Sequence, residues 1–342
     1  MKLRLFAMTK ALSVCAIMAM FVLASSSYAA QDKAAQDKAP QASKAEQEAG
    51  AKVEAAPDVA AKLKAAGEFV KKYPKSTQRA MIVGYVVQEI NKSPDATQKI
   101  SLLENALTVF KEQSDVDIIN PILIDAYVNA NRLDDAFRAG AAAIAKNPND
   151  LVTLTNMSLI GIEQAKKQNP KYAEQSQQYA LKAIELIEAG KKPEGMDDAR
   201  WGDFQTRLLP ELYQAAGIVA MMTGKKDEAK TRLEKAVSLK SDNPFAYVLL
   251  GTIANNEYQE FAEKHKAQSA GPLKDELLRQ AHAKMDQVID LYAHAVALSE
   301  GSEPYKQLHD QVLEDLKSYY SYRHAGSTKG LDELIAKYKK QQ

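Results

Sequence analysis

"GKKDEAKTRLEKAVSLKSDNPFAYVLLG", residues 224–251, holds two amphipathic helical stretches with a stop between them. Ala229, Leu233 and Ala236 recur at helical spacing, and then Asp242-Asn243-Pro244 ends one helix and opens the next. A proline in a helix's first turn forfeits no hydrogen bond, yet its ring blocks the helix before it from continuing. The stretch reads as helix, tight turn, helix.

The same punctuation recurs outward along the chain, at Tyr73-Pro74-Lys75-Ser76, Ser93-Pro94-Asp95, Asn147-Pro148-Asn149-Asp150 and Asn169-Pro170. Between these breaks the spacing predicts helices over 58–73, 77–91, 96–112, 116–130, 133–146, 150–168, 170–189, 203–222, 225–240, 244–265, 273–299, 303–324 and 329–340. No segment sustains period-two alternation, and only 15 Gly and 12 Pro interrupt 342 residues. The expectation is an all-α chain.

A repeat lies inside the pattern. "PELYQAAGIVA" (210–220) slides onto "PFAYVLLGTIA" (244–254), pairing Pro210 with Pro244, Tyr213 with Tyr247, Gly217 with Gly251 and Ala220 with Ala254. A fixed period of this length marks stacked helical hairpins. Helix axes that approach to about 8 Å leave no room for large side chains at the crossing, so Gly217 and Ala229 are expected there, flanked by Tyr213 and Leu233.

With a further copy at "IINPILIDAYVNANRLDDAFRAGAAAIAKNP" (118–148), where Leu123, Tyr127, Ala136, Ala143 and Pro148 take the apolar, aromatic, small, small and proline places, the chain resembles the tetratricopeptide repeat family. Ile124 departs from it, standing where a small residue is usual. The resemblance implies a right-handed superhelical solenoid of antiparallel helix pairs over 57–342, closed by a capping helix, whose concave wall binds a peptide or protein segment. On that wall it nominates Asp125, Val128, Asn129, Thr155, Leu159, Ile218, Met221, Met222, Thr252, Asn255 and Asn256. Relatives that clamp a terminal carboxylate use cations there; Asp125, Met222 and Asn256 occupy those places here, which argues against that ligand class.

The first 29 residues read as a secretory signal peptide. Lys2, Arg4 and Lys10 precede the 14-residue apolar run "ALSVCAIMAMFVLA", and Ser27 and Ala29 supply the small cleavage pair. The run falls short of the roughly 20 residues a bilayer span needs, so no transmembrane segment is expected after its removal. Residues 30–56, with "AQDKA" written twice, are expected to be a low-complexity flexible linker. Cleavage near Ala29 takes three of the 45 cations and none of the 44 anions, leaving a net charge of about −2. That is a poor basis for binding nucleic acid. The single Cys, Cys15, leaves with the signal, taking with it any thiol nucleophile or disulfide. A periplasmic location follows.

No catalytic, cofactor or metal motif stands out. His265, His282, His294, His309 and His324 are never three or four residues apart, and Asp286 and Asp290 pair with His282 and His294 as ordinary helix neighbours. No phosphate-binding glycine loop or nucleophile elbow occurs. Lys62, Lys64, Lys71, Lys72 and Lys75 form a basic start that suits a solvated face, with peripheral membrane contact as the sharper alternative. Tyr319, Tyr320, Tyr322, Arg323 and His324 read as part of the end cap, with an aromatic peptide-binding patch as the sharper alternative. Residues 189–203 and 265–276 read as inserted loops or helix extensions, with Trp201 tucked beneath the first of them or anchoring a partner. The expected function is a non-catalytic interaction scaffold in the cell envelope, with an envelope-remodelling hydrolase or a structural tether as alternatives.

Overall fold

The computed structural model describes residues 42–193, 195–239 and 243–339. The expected signal peptide and residues 30–41 lie outside them. The described residues form fourteen α-helices and no strand: α1 (Lys44–Glu54), α2 (Val59–Lys72), α3 (Arg79–Asn91), α4 (Ala96–Val109), α5 (Gln113–Asn129), α6 (Leu133–Lys146), α7 (Leu151–Lys166), α8 (Ala173–Glu188), α9 (Asp198–Met222), α10 (Lys226–Ser238), α11 (Pro244–Ala267), α12 (Pro272–Ser299), α13 (Lys306–Arg323) and α14 (Leu331–Lys339). Short turns of three-ten helix, Pro170–Tyr172 and Glu303–Tyr305, lead into α8 and α13. The helices belong to two compact units, one running through Thr153 and the other starting at Leu154, so the division falls inside α7.

In the N-terminal unit the expected linker is corrected over its second half. Ser43 and Glu46 close a reciprocal capping box, the Ser43 amide donating to Glu46 Oε2 at 2.7 Å and the Glu46 amide to Ser43 Oγ at 3.3 Å. This satisfies two of the donors that a helix start leaves free. Val53 is then fully buried and Gly50 packs close to Ile82, so α1 is held against the hairpins that follow. Further along, Arg79 at the start of α3 reaches Asp115 at the start of α5. Its Nε donates at 3.0 Å and its Nη2 at 2.5 Å, with Asp115 only 1% exposed. Two parallel bonds compensate a carboxylate taken out of water, and they pin the first helix of one hairpin to that of the next.

In the C-terminal unit the crossings rest on the glycines that the repeat singles out. A Cβ on Gly217 would lie 2.8 Å from Leu233 Cγ and 3.4 Å from the Ala229 carbonyl oxygen. One on Gly251 would lie 2.6 Å from Tyr292 Cδ1. Both sit where two helices meet too closely for a side chain. α11 and α12 run antiparallel along most of their lengths, as Gly251 against Tyr292, Tyr247 against His294 at 4.0 Å between rings, and Glu257 against Lys284 at 2.6 Å all show. The insertion expected at 265–276 is of the second kind, a helix extension: α11 runs to Ala267 and α12 begins at Pro272. That expected at 189–203 shortens likewise: Asp197 caps α9 by accepting from the Arg200 amide at 2.9 Å. Trp201 stands in the first turn of α9, stacked on Phe204 at 5.7 Å, and not beneath a loop.

α14 closes this unit. Leu331, Ile335 and Tyr338 are buried, and Tyr338 stacks on His294 at 4.4 Å while its hydroxyl donates to Asp290. Tyr320 donates to the Lys329 carbonyl at 3.0 Å and stacks on His324. Tyr320 and His324 thus serve the cap.

Candidate functional site

First helices differ in how much of their surface is exposed: α11 is buried or half-buried from Pro244 through Asn255 and first exposed at Asn256. The residues nominated for the binding wall divide on this test. In the N-terminal unit, Asn129 is exposed and Asp125 and Val128 are half-buried on α5. Asn129 Nδ2 donates to Asp125 Oδ2 at 3.0 Å. Burial pushes the Asp125 carboxyl above its ordinary range, against the opposing pull of Asn129 and the Lys99 ammonium. Lys99 itself donates to Asn91 Oδ1 at 3.1 Å, so a small polar cluster joins the ends of α3 and α5.

In the C-terminal unit three nominated residues are corrected. Thr155 and Ile218 are 2% and 4% exposed, because the neighbouring helices cover their faces. Asn255 is 5% exposed and accepts from the Tyr319 hydroxyl at 2.7 Å, so it serves as a strut between α11 and α13. Leu159 is half-buried, as are Met221 and Met222, which pack over the core beside Ile218 and Leu249. Thr252 is half-buried with its hydroxyl donated to the Val248 carbonyl at 2.9 Å, and Asn256 is exposed.

The Asn255–Tyr319 bond fixes a register. These residues lie 64 positions apart. The same offset pairs Tyr258 with Tyr322, whose phenols interact and whose proximity, after burial, raises the Tyr258 pKa. One turn back it sets Asp315 level with Gly251. Under that position lies Tyr292, 1% exposed, its ring filling the space a Gly251 side chain would need and edge-on to Tyr319 at 6.1 Å. Asp315 is 8% exposed, and among the described residues no cation lies within ion-pair distance of it. Burial pushes its carboxyl above the usual range. Sequence reading passed over Asp315 and Tyr258; the signal available was their helical spacing from Tyr319 and Tyr322 on α13 and from Asn255 on α11.

A second feature of this unit is an open cleft of about 400 Å³ between α12 and the end of α13, walled by Leu278, His282 and Ala283. Both of its arginines are already paired, while Asp275 also lines it. Arg323 Nε donates to Asp286 at 2.8 Å and Arg279 pairs with Glu276. The basic start of α2 is similar in part: Lys62 is held by Tyr85 and Glu89, each at 2.7 Å, while Lys64, Lys71, Lys72 and Lys75 are solvated.

No protein-family model matches the sequence, and no curated protein matches it. Solved structures do. A thermophilic TPR protein of Thermus thermophilus is 15% identical, with 70% of this chain and 100% of that one covered and a TM-score of 0.36. A tetratricopeptide repeat protein from Parabacteroides merdae is 14% identical over 79% and 100%, at 0.37, and pilF of Pseudomonas aeruginosa 14% over 77% and 97%, at 0.38. Likeness of this size carries no functional argument. The tetratricopeptide-like character of the hairpins stands on their own packing: glycines at the crossings and a 34-residue repeat.

Proposed function

We propose that this protein is a non-catalytic scaffold that holds a peptide or protein segment on the uncovered faces of its first helices. The observation that carries the reading is the exposure of Asn129 on α5 and Asn256 on α11, although the helices around them are packed. Exposed amides bond either direction of a peptide backbone, and adaptable Met side chains such as Met221 and Met222 reshape to fit an apolar anchor. Affinity would then come from a few desolvated anchors, with the remaining contacts supplying fit.

The amino-terminal pattern of cations, apolar run and small residues supports export, and with it a partner in the cell envelope. No described helix is long and apolar enough to cross a membrane. The test is a photo-crosslinking residue placed at Asn256 or at Asn129, compared with Glu234, which is exposed on the second helix α10. In cells, the first two positions should capture the same discrete protein, identified by mass spectrometry, and position 234 should not. Equal labelling from all three positions, or turnover of an envelope polymer abolished by one carboxylate change, overturns the proposal.

A further inference from the structure

A charge buried without a partner is costly, and native folds pair, hydrogen-bond or neutralise such groups. Asp315 departs from that rule: it is 8% exposed on α13, and no cation of the described residues reaches it. Beneath it the Tyr292 hydroxyl is also buried and makes no hydrogen bond of normal geometry. A carboxylate with no cation against it and a buried phenol without a hydrogen bond thus lie near each other beside α11 and α13. Helical spacing puts Tyr319 one turn from Asp315, and Tyr319's hydroxyl is already committed to Asn255. What remains is a carboxylate close to the phenols of Tyr319 and Tyr292.

We infer that Asp315, Tyr292 and Tyr319 form a pocket for a cationic side chain, the lysine or arginine of a bound segment. The carboxylate supplies the counter-charge, and the aromatic rings supply surfaces that attract cations. The Tyr292 hydroxyl is free to donate to the same carboxylate once the cation has drawn it into place. Tyr258 and Tyr322, one turn further along, extend the aromatic surface under the neighbouring residue of the segment, and Tyr322 is 71% exposed. This polarity is opposite to that of a clamp for a terminal carboxylate. It differs too from the cleft at Arg323, where Arg323 and Arg279 are each already paired with a carboxylate of α12.

The inference rests on the uncovered face being a recognition surface, and its test is chosen to be independent of finding the partner. The full chain, with its tyrosine rings carbon-13 labelled, is titrated with Nα-acetyl-lysine methylamide and separately with the uncharged norleucine analogue. Ring signals of Tyr292 and Tyr319 should move saturably with the lysine compound alone. Asp315→Asn should weaken that response by about tenfold or more, and Asp315→Glu should retain part of it. No saturable movement, an equal response to the norleucine compound, or an undiminished response in a folded Asp315→Asn protein overturns the pocket. The wild-type comparison of the two compounds decides even where the asparagine variant fails to fold. A pocket that binds the lysine compound while the crosslinks at Asn256 capture nothing separates failure of the scaffold reading from failure of this one.

Discussion

Two buried carboxylates occupy equivalent kinds of place in the two units and live in opposite conditions. Asp115 lies between the first helices α3 and α5 and is 1% exposed, held by two bonds from Arg79. Asp315 lies between the first helices α11 and α13 and is 8% exposed, with no cation of the described residues against it. The difference teaches how to tell an internal rivet from a receptor. A buried charge with its partner in the same chain holds helices in register, whereas one without a partner weakens the fold that carries it and is kept for something outside.

The sharpest way to break this contrast is to delete one half of the paired site. Asp115→Ala strands the Arg79 guanidinium and should cost about 3–5 kcal/mol, read from the urea midpoint. Replacing both partners by apolar residues of like volume should recover most of that loss. A small effect from the single change would mean that Arg79 is solvated and the two sites are alike.

Crossings in the C-terminal unit come next. Gly251→Ala forces the Tyr292 ring to move and should destabilise by about 1–3 kcal/mol. It should also disturb the tyrosine signals used to report on Asp315, since Tyr292 floors that pocket. Gly217→Ala meets the branched end of Leu233 and should cost less.

A smaller effect is expected from Tyr319→Phe, which removes the strut to Asn255 but leaves the ring in place. About 0.5–1.5 kcal/mol should be lost, with binding of the lysine compound largely kept. Least of all, Asn256→Ala should change stability by no more than about 0.5 kcal/mol while reducing partner capture, because its side chain is exposed and serves no packing.

Much of this fold is legible in the sequence, because proline placement and helical spacing are local signals. All thirteen helices expected from residue 58 onward are present, and Gly217 and Leu233 meet as the repeat implies. α1 was hidden by composition. An alanine-rich polar stretch looks like a tether, although Ser43-Lys44-Ala45-Glu46 carries the capping signal and Val53 the anchor. The site was less legible. Helical phase nominates Asn129 and Asn256, which are exposed, but it cannot say that Asn255 is spent on Tyr319 or that Thr155 is covered. Those facts depend on the distance between helices that are neighbours only in space. Asp315 was invisible for the same reason, since an unpaired acid and a solvated one are written with the same letter.

The claim that Asp315 is unpaired is tested most directly by thermal unfolding of the wild type and Asp315→Asn across pH. Burial raises the folded carboxyl's pKa above its unfolded value of about 3.9, so the folded state holds the proton more tightly. Wild-type stability from this group is therefore present below the unfolded pKa and falls as pH rises through the folded one. Asparagine, which does not titrate, should be the more stable by a few degrees at neutral pH, with the advantage vanishing in acid. An asparagine protein that is less stable than wild type at neutral pH, or a difference that does not change with pH, would contradict the account.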